Sequence, residues 1–188
     1  VVTIKGSDTM VHLMAEWAEA FMTQRPDVQV SVTGGGSGTG IASLINGTLD
    51  ICAASRDMSA SEKEKAVQKG ITPHETVVAR DGIAVVVHPS NPVSELSIEQ
   101  LRKIYTGSVG DWSQVGGGEG AIQVLSRESS SGTYVFFQEH VLSKEDFAPT
   151  TLLMPATSSI VQSVSSDVNT IGYVGLGYAA EARDKVKV

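Results

Sequence analysis

Val1-Val2-Thr3-Ile4-Lys5-Gly6-Ser7-Asp8-Thr9-Met10 opens the chain, and its order decides the fold. A short β-prone run meets a small polar loop. Beyond it, Met10, Leu13, Met14, Trp17, Ala18 and Phe21 fall on one helical face up to Gln24, where Pro26 stops the helix. The same grammar repeats. Val28 to Thr33 alternates as a strand, Gly34-Gly35-Gly36-Ser37-Gly38-Thr39 is its loop, and Ile41 to Ile45 begins a helix that Asn46-Gly47 ends. Leu49 to Ala53 reads as a third strand. Ser55-Arg56-Asp57-Met58 is the loop after it, and Ser59 with Glu62 forms a capping box for a helix through Lys69.

Further along, Val77 to Ala79 and Gly82 to His88 are the strongest β segments. Ser97 with Gln100 caps a helix through Tyr105, and Gly107 to Gly120 reads as a long loop. Ala121 to Leu125 predicts a strand, Ser126 to Thr133 a polar loop and Tyr134 to Leu142 a helix. Thr157 to Val164 predicts a helix and Thr170 to Val174 a strand. Strands alternating with helices predict an α/β protein with largely parallel sheets. Right-handed crossovers place the strand-to-helix loops on one sheet edge, where such proteins take their ligands.

Composition narrows the function. The chain has 188 residues and a formal net charge of -7, with no Lys/Arg block. A basic stripe for nucleic acid and a basic amphipathic helix for a membrane surface are both missing. No apolar run nears the ~20 residues of a membrane span. The single cysteine, Cys52, lies in an apolar run and reads as a buried structural thiol. His12, His74, His88 and His140 form no metal-binding spacing, so no metal or cofactor is expected. Trp17 reads as core, and Trp112 as a surface contact or a packing residue.

Three loops share one design: Gly6-Ser7-Asp8-Thr9, Gly36-Ser37-Gly38-Thr39 and Ser130-Ser131-Gly132-Thr133. Each follows a strand and opens a helix, whose first N–H groups lack helical partners and whose dipole is positive there. One such loop is an ordinary cap or turn. Three of them, with Arg56 and Arg127 in equivalent loops, point to an oxyanion. Nucleotide motifs fail: there is no G-x-x-x-x-G-K-[ST], and no G-x-G-x-x-G in register after the second strand.

These residues also carry a resemblance. Gly6 to Thr9, Gly34 to Gly40, Ala54-Ser55-Arg56-Asp57, Asp81 to Val87, Arg127 to Thr133 and Ile171-Gly172-Tyr173-Val174 resemble, in order, the phosphate-binding proteins of ABC transporters. The resemblance implies a type II periplasmic-binding fold, two α/β lobes around a ligand cleft. Residues 1–80 would form the first lobe, with 180–188 returning to it, and 81–179 the second. That return is short, which would leave an exposed sheet edge open to dimerisation.

Carried over by residue, the resemblance implies that Thr9 gives its hydroxyl and Met10 its N–H. Ser37 gives both, assisted by Gly38. Arg127 supplies a fork, while Ser131, Gly132 and Thr133 wrap the remaining oxygens, and Ser7 and Arg56 complete the set. Arg56 stands where some members have an aspartate that accepts the phosphate proton, which leaves Asp57, Asp81 and Asp8 as candidate acceptors or as capping and turn carboxylates. The implied function is phosphate binding and delivery to an ABC permease, without catalysis, outside the cytoplasm after removal of a signal peptide. Alternatives are a protein for sulfate, molybdate or tungstate, or a hydrolase using Ser37 or Ser131.

Overall fold

A computed structural model describes residues Val1–Val188, which fold as two units. The first takes in Val1–Arg80 with Ser129–Gly132, and the second Asp81–Glu128 with Thr133–Val188.

In the first unit, β1 (Val2–Gly6) leads through a 3-10 turn (Asp8–Met10) into α1 (Val11–Gln24). Then come β2 (Val30–Thr33), α2 (Ser37–Ile45), β3 (Ile51–Ala53) and α3 (Ala60–Gln68). The sheet order is β2-β1-β3, and both pairings are parallel. The register sets Lys5 beside Thr33 and Gly6 beside Ala53. All three strands therefore end on the same edge, and the residues that follow them are gathered there. The capping box of Ser59 and Glu62 forms as expected. Helix α2 starts four residues before the anticipated Ile41, which brings Ser37 into its first turn.

The core of this unit is small: Ile41, Ile45 and Ala66, with Cys52, Ala54, Met58 and Ile71 packed against them. On α1, Met14 and Ala18 are buried, but Trp17 and Phe21 are each 46% exposed, so Trp17 is not a core residue. Cys52 is half-buried, and burial pushes its thiol up to about 11. Val77 to Ala79 is no strand. Its β-prone residues have no partner strand, and an unpaired strand leaves its amides to water.

The second unit contains β4 (Ile83–Val87), α4 (Ile98–Tyr105), a 3-10 turn (Trp112–Val115), β5 (Gln123–Arg127) and α5, whose span Gly132–His140 begins in the first unit. It continues with β6 (Leu152–Met154), α6 (Thr157–Ser166), β7 (Thr170–Gly175) and α7 (Leu176–Glu181). The order is β4-β7-β5-β6. Strand β5 runs parallel to β6 and β7, whereas β4 is antiparallel to β7, so the sheet is mixed.

Strand alternation sends side chains to both faces. Val87, Ile171 and Tyr173 join Leu101, Ile104, Tyr105, Trp112, Phe137 and Leu142 in one cluster. Val86, Leu125 and Val174 join Ile160, Val164, Ala182 and Val186 in the other. Trp112 is a packing residue, with its indole N–H donating to Asn169 O at 3.0 Å.

Residues 180–188 remain in this second unit and do not return to the first. Val87 and Lys187 exchange two backbone hydrogen bonds of 2.8 Å, and Val186 is buried among the residues of α6 and β7. Burying Ala182 and Val186 on the sheet holds the segment there.

Candidate functional site

The first unit assembles its polar cluster from three strand ends. Ser7 follows β1, Ser37 opens α2 after β2, and Ser55 follows β3. The Ser7 hydroxyl donates to Ser55 Oγ at 2.9 Å. Ser55 Oγ lies 3.2 Å from Ser37 Oγ, and the Ser55 amide donates to Ser37 Oγ at 3.1 Å. Ser7 and Ser37 are almost wholly buried, at 2% and 0% exposure. The backbone supports the arrangement: Ser7 N–H donates to Ala53 O at 2.6 Å and Gly36 N–H to Gly6 O at 2.8 Å.

The segment Ser129–Gly132 packs onto the start of α2. Gly38 N–H donates to Ser130 O at 2.9 Å. Gly36 holds a left-handed backbone with φ of 94°, and a Cβ there would stand 2.7 Å from Ser130 O. Only glycine suits both the angle and the approach. At Gly132 a Cβ would fall 2.5 Å from both Ser37 Oγ and Ser55 Oγ. Gly132 therefore packs close to the two hydroxyls without setting a side chain against them.

Several anticipated donors are already engaged. Met10 N–H donates to Ser7 O at 3.1 Å within the 3-10 turn that also carries Thr9, and Gly38 N–H is held by Ser130. Arg56 forks onto Glu62 with contacts of 2.8 and 2.9 Å and also reaches Asp57 O at 2.8 Å. That ion pair, with the Ser59 amide, holds the Glu62 carboxyl down to about 2. Arg56 is thus tied locally, because Glu62 serves the helix cap and the guanidinium together.

The remaining anticipated residues belong to the second unit. Arg127 ends β5 and is 2% exposed. Its guanidinium is oriented by Met154 O at 3.2 Å, Thr157 Oγ1 at 2.8 Å and Pro155 O at 3.0 Å. Its backbone N–H donates to the Tyr173 hydroxyl at 3.4 Å, which also pairs with Ser126 Oγ at 2.7 Å. Burial pushes that phenol up to about 12. Thr133 is buried in the first turn of α5. Asp81 is exposed, and its Oδ1 accepts from Gly82 N–H at 2.8 Å and from Leu176 N–H at 3.2 Å. It serves as a turn carboxylate and as a cap for α7.

In the first unit the structure brings together Ser7, Ser37, Gly38, Ser131 and Gly132, and it holds Thr9 and Met10 in the turn that follows Ser7. Ser55 joins the cluster, although sequence reasoning did not mark it as a site residue. Its signal was its position: it follows β3 as Ser7 follows β1.

Polar groups gathered at the carboxyl ends of parallel strands stand where open α/β sheets take their ligands. The chain belongs to the PBP superfamily, whose domain profile matches residues 1–188. It is 37% identical over 191 residues to the phosphate-binding protein PstS of Pseudomonas aeruginosa, covering 92% of this chain and 58% of that protein. It is 33% identical to PstS of Bacillus subtilis, covering 98% of this chain and 59% of the relative. The chain thus spans less than two thirds of the length of these relatives. Among solved structures it is similar to a Clostridium perfringens protein, assigned as a phosphate ABC transporter substrate-binding protein and solved with bound phosphate. That likeness has a TM-score of 0.89 and 36% identity over 100% of this chain and 74% of the other. An ABC-type phosphate transport receptor of Vibrio cholerae gives a TM-score of 0.73 and 34% identity, covering 100% and 75%.

Proposed function

We propose that the protein binds inorganic phosphate and delivers it to the permease of an ABC transporter. The observation that carries this reading is the buried serine cluster at the start of α2, set against the Ser129–Gly132 segment. Burying several hydroxyls together is costly unless each has a partner, and an anion is a strong acceptor for such donors. The names of the relatives supply the ligand. Ser37, Thr9, Ser131, Gly132, Thr133 and Arg127 are the residues proposed to hold it. Ser7 supports the cluster through its bond to Ser55, and Arg56, Met10, Gly38 and Asp81 act through the local bonds described above.

The proposed role involves no bond breaking. The groups bonded to Ser37 Oγ are a hydroxyl and an amide, neither of which is a base that could activate it. No helix is long and apolar enough to cross a membrane. Work outside the cytoplasm, as for a component that feeds a permease, belongs to the same proposal.

Titration calorimetry with phosphate tests it. The expected result is a micromolar or tighter Kd, weakened at least a hundredfold by Arg127→Ala, since charge-assisted forks contribute about 1.5–3 kcal/mol per bond. Absence of heat and of thermal stabilisation with phosphate would refute it. Competition with sulfate and molybdate reports the selectivity.

A further inference from the structure

Counting hydroxyl protons in the serine cluster gives Ser55 a role. Three hydroxyls, those of Ser7, Ser55 and Ser37, carry three protons. The Ser7 proton is committed to Ser55 Oγ at 2.9 Å. A second proton lies between Ser55 Oγ and Ser37 Oγ, 3.2 Å apart. One proton remains for a group outside the cluster.

Its direction follows from the Ser55 amide. That N–H already fills one acceptor position of Ser37 Oγ at 3.1 Å. When Ser55 O–H fills the other, Ser37 can only donate, and it donates outward. The chain then runs Ser7 to Ser55 to Ser37 to ligand, with Ser55 and Ser37 each accepting before donating. Hydrogen bonds in such a chain polarise one another. In the opposite arrangement the Ser37 proton turns inward to Ser55, and the chain is broken at the residue that opens α2. An anion near the positive end of α2 favours the first arrangement. Gly132, next to both oxygens, adds no side chain against them.

We propose that Ser55 is a positioning residue that commits the Ser37 hydroxyl to donate to an oxygen of the bound anion, through the chain Ser7–Ser55–Ser37. This inference rests on the phosphate reading above, with Ser37 as the contacting group and Ser55 acting only through it.

A double-mutant cycle on phosphate affinity tests the coupling. Ser55→Ala should raise the Kd about three- to tenfold, the worth of one net hydrogen bond. Ser37→Ala should raise it further. Adding Ser55→Ala to Ser37→Ala should then change nothing more, because the group that Ser55 directs is gone. Ser55→Thr, which keeps the hydroxyl, should bind as the wild type does. Should Ser55→Ala fail to fold, Ser55→Cys, with similar volume and a weak donor, carries the same cycle.

Two losses that multiply independently would overturn the proposal, since a generally disturbed loop does not depend on the Ser37 hydroxyl. So would a Ser55→Ala protein that binds phosphate like the wild type. A wild-type protein without phosphate binding removes the functional reading and this inference with it. Wild-type binding with an uncoupled cycle removes this inference alone.

Discussion

The two units handle burial in opposite ways. The second packs aromatic and branched side chains on both faces of a mixed four-stranded sheet. Phe137 stacks on Tyr173 with centroids 4.0 Å apart, and Tyr105 closes on Phe137 at 4.7 Å. The first unit has a three-stranded sheet, a core cluster of Ile41, Ile45 and Ala66, and a helix that leaves Trp17 and Phe21 half in water. Some of its best-buried groups are hydroxyls, those of Ser7 and Ser37. Apolar burial holds the second unit, whereas the first spends interior space on polar groups that must be matched one by one. Large apolar truncations should therefore matter most in the second unit, and small geometric changes most in the first.

Phe137→Ala should break the comparison hardest. Removing a fully buried ring from the second unit should cost about 3–5 kcal/mol, read by chemical denaturation. A loss under about 1 kcal/mol would show that the aromatic cluster is not what holds this unit. Gly36→Ala comes next, at about 1–3 kcal/mol, because it forces a left-handed backbone on alanine and drives a Cβ toward Ser130 O. Its phosphate affinity should fall as well, which the Phe137 variant should not show in its folded fraction.

Glu62→Gln probes the ion pair of the first unit and should cost about 1–2 kcal/mol, because both side chains keep only about a fifth of their surface in water and the guanidinium loses its charged partner. The sign with pH is definite. Folding lowers the carboxyl from 4.5 to about 2, so the pair contributes fully above 4.5 and loses its contribution as pH falls toward 2. The wild type and the variant should converge in stability over that window and differ by a constant amount near neutrality. Trp17→Ser should change stability least, within about 0.5 kcal/mol, since the ring is already 46% exposed. A large loss there would reveal burial of the α1 face.

Local signals were readable in the sequence. The capping boxes at Ser59 and Ser97 stand where the spacing placed them, and β7 begins at Thr170 as read. Features that depend on distant partners were not. Strand β6 is only Leu152–Met154, too short to alternate, and exists because β5 pairs with it. Helix α7 contains Gly177 and begins at a cap supplied by Asp81, 95 residues away. Val77 to Ala79 shows the reverse, β propensity without a neighbour. The glycine–serine loops were legible as loops that lead from strands into helices. The bonds of Arg56 to Glu62, and of Gly38 to Ser130, were not, because a side chain's choice among nearby acceptors is made in three dimensions.

The exchange between Val87 and Lys187 has a consequence for solubility. Strand β4 lies at the rim of its sheet, and a bare rim offers a template on which another molecule's extended chain can grow. Lys187 occupies one rung of that rim through its backbone and sets an ammonium group beside it, with Nζ bonded to Asn91 O. A hydrophobic strand arriving there would have to displace this pairing and bury the Lys187 ammonium, so the bridge acts as a gatekeeper against fibrous growth.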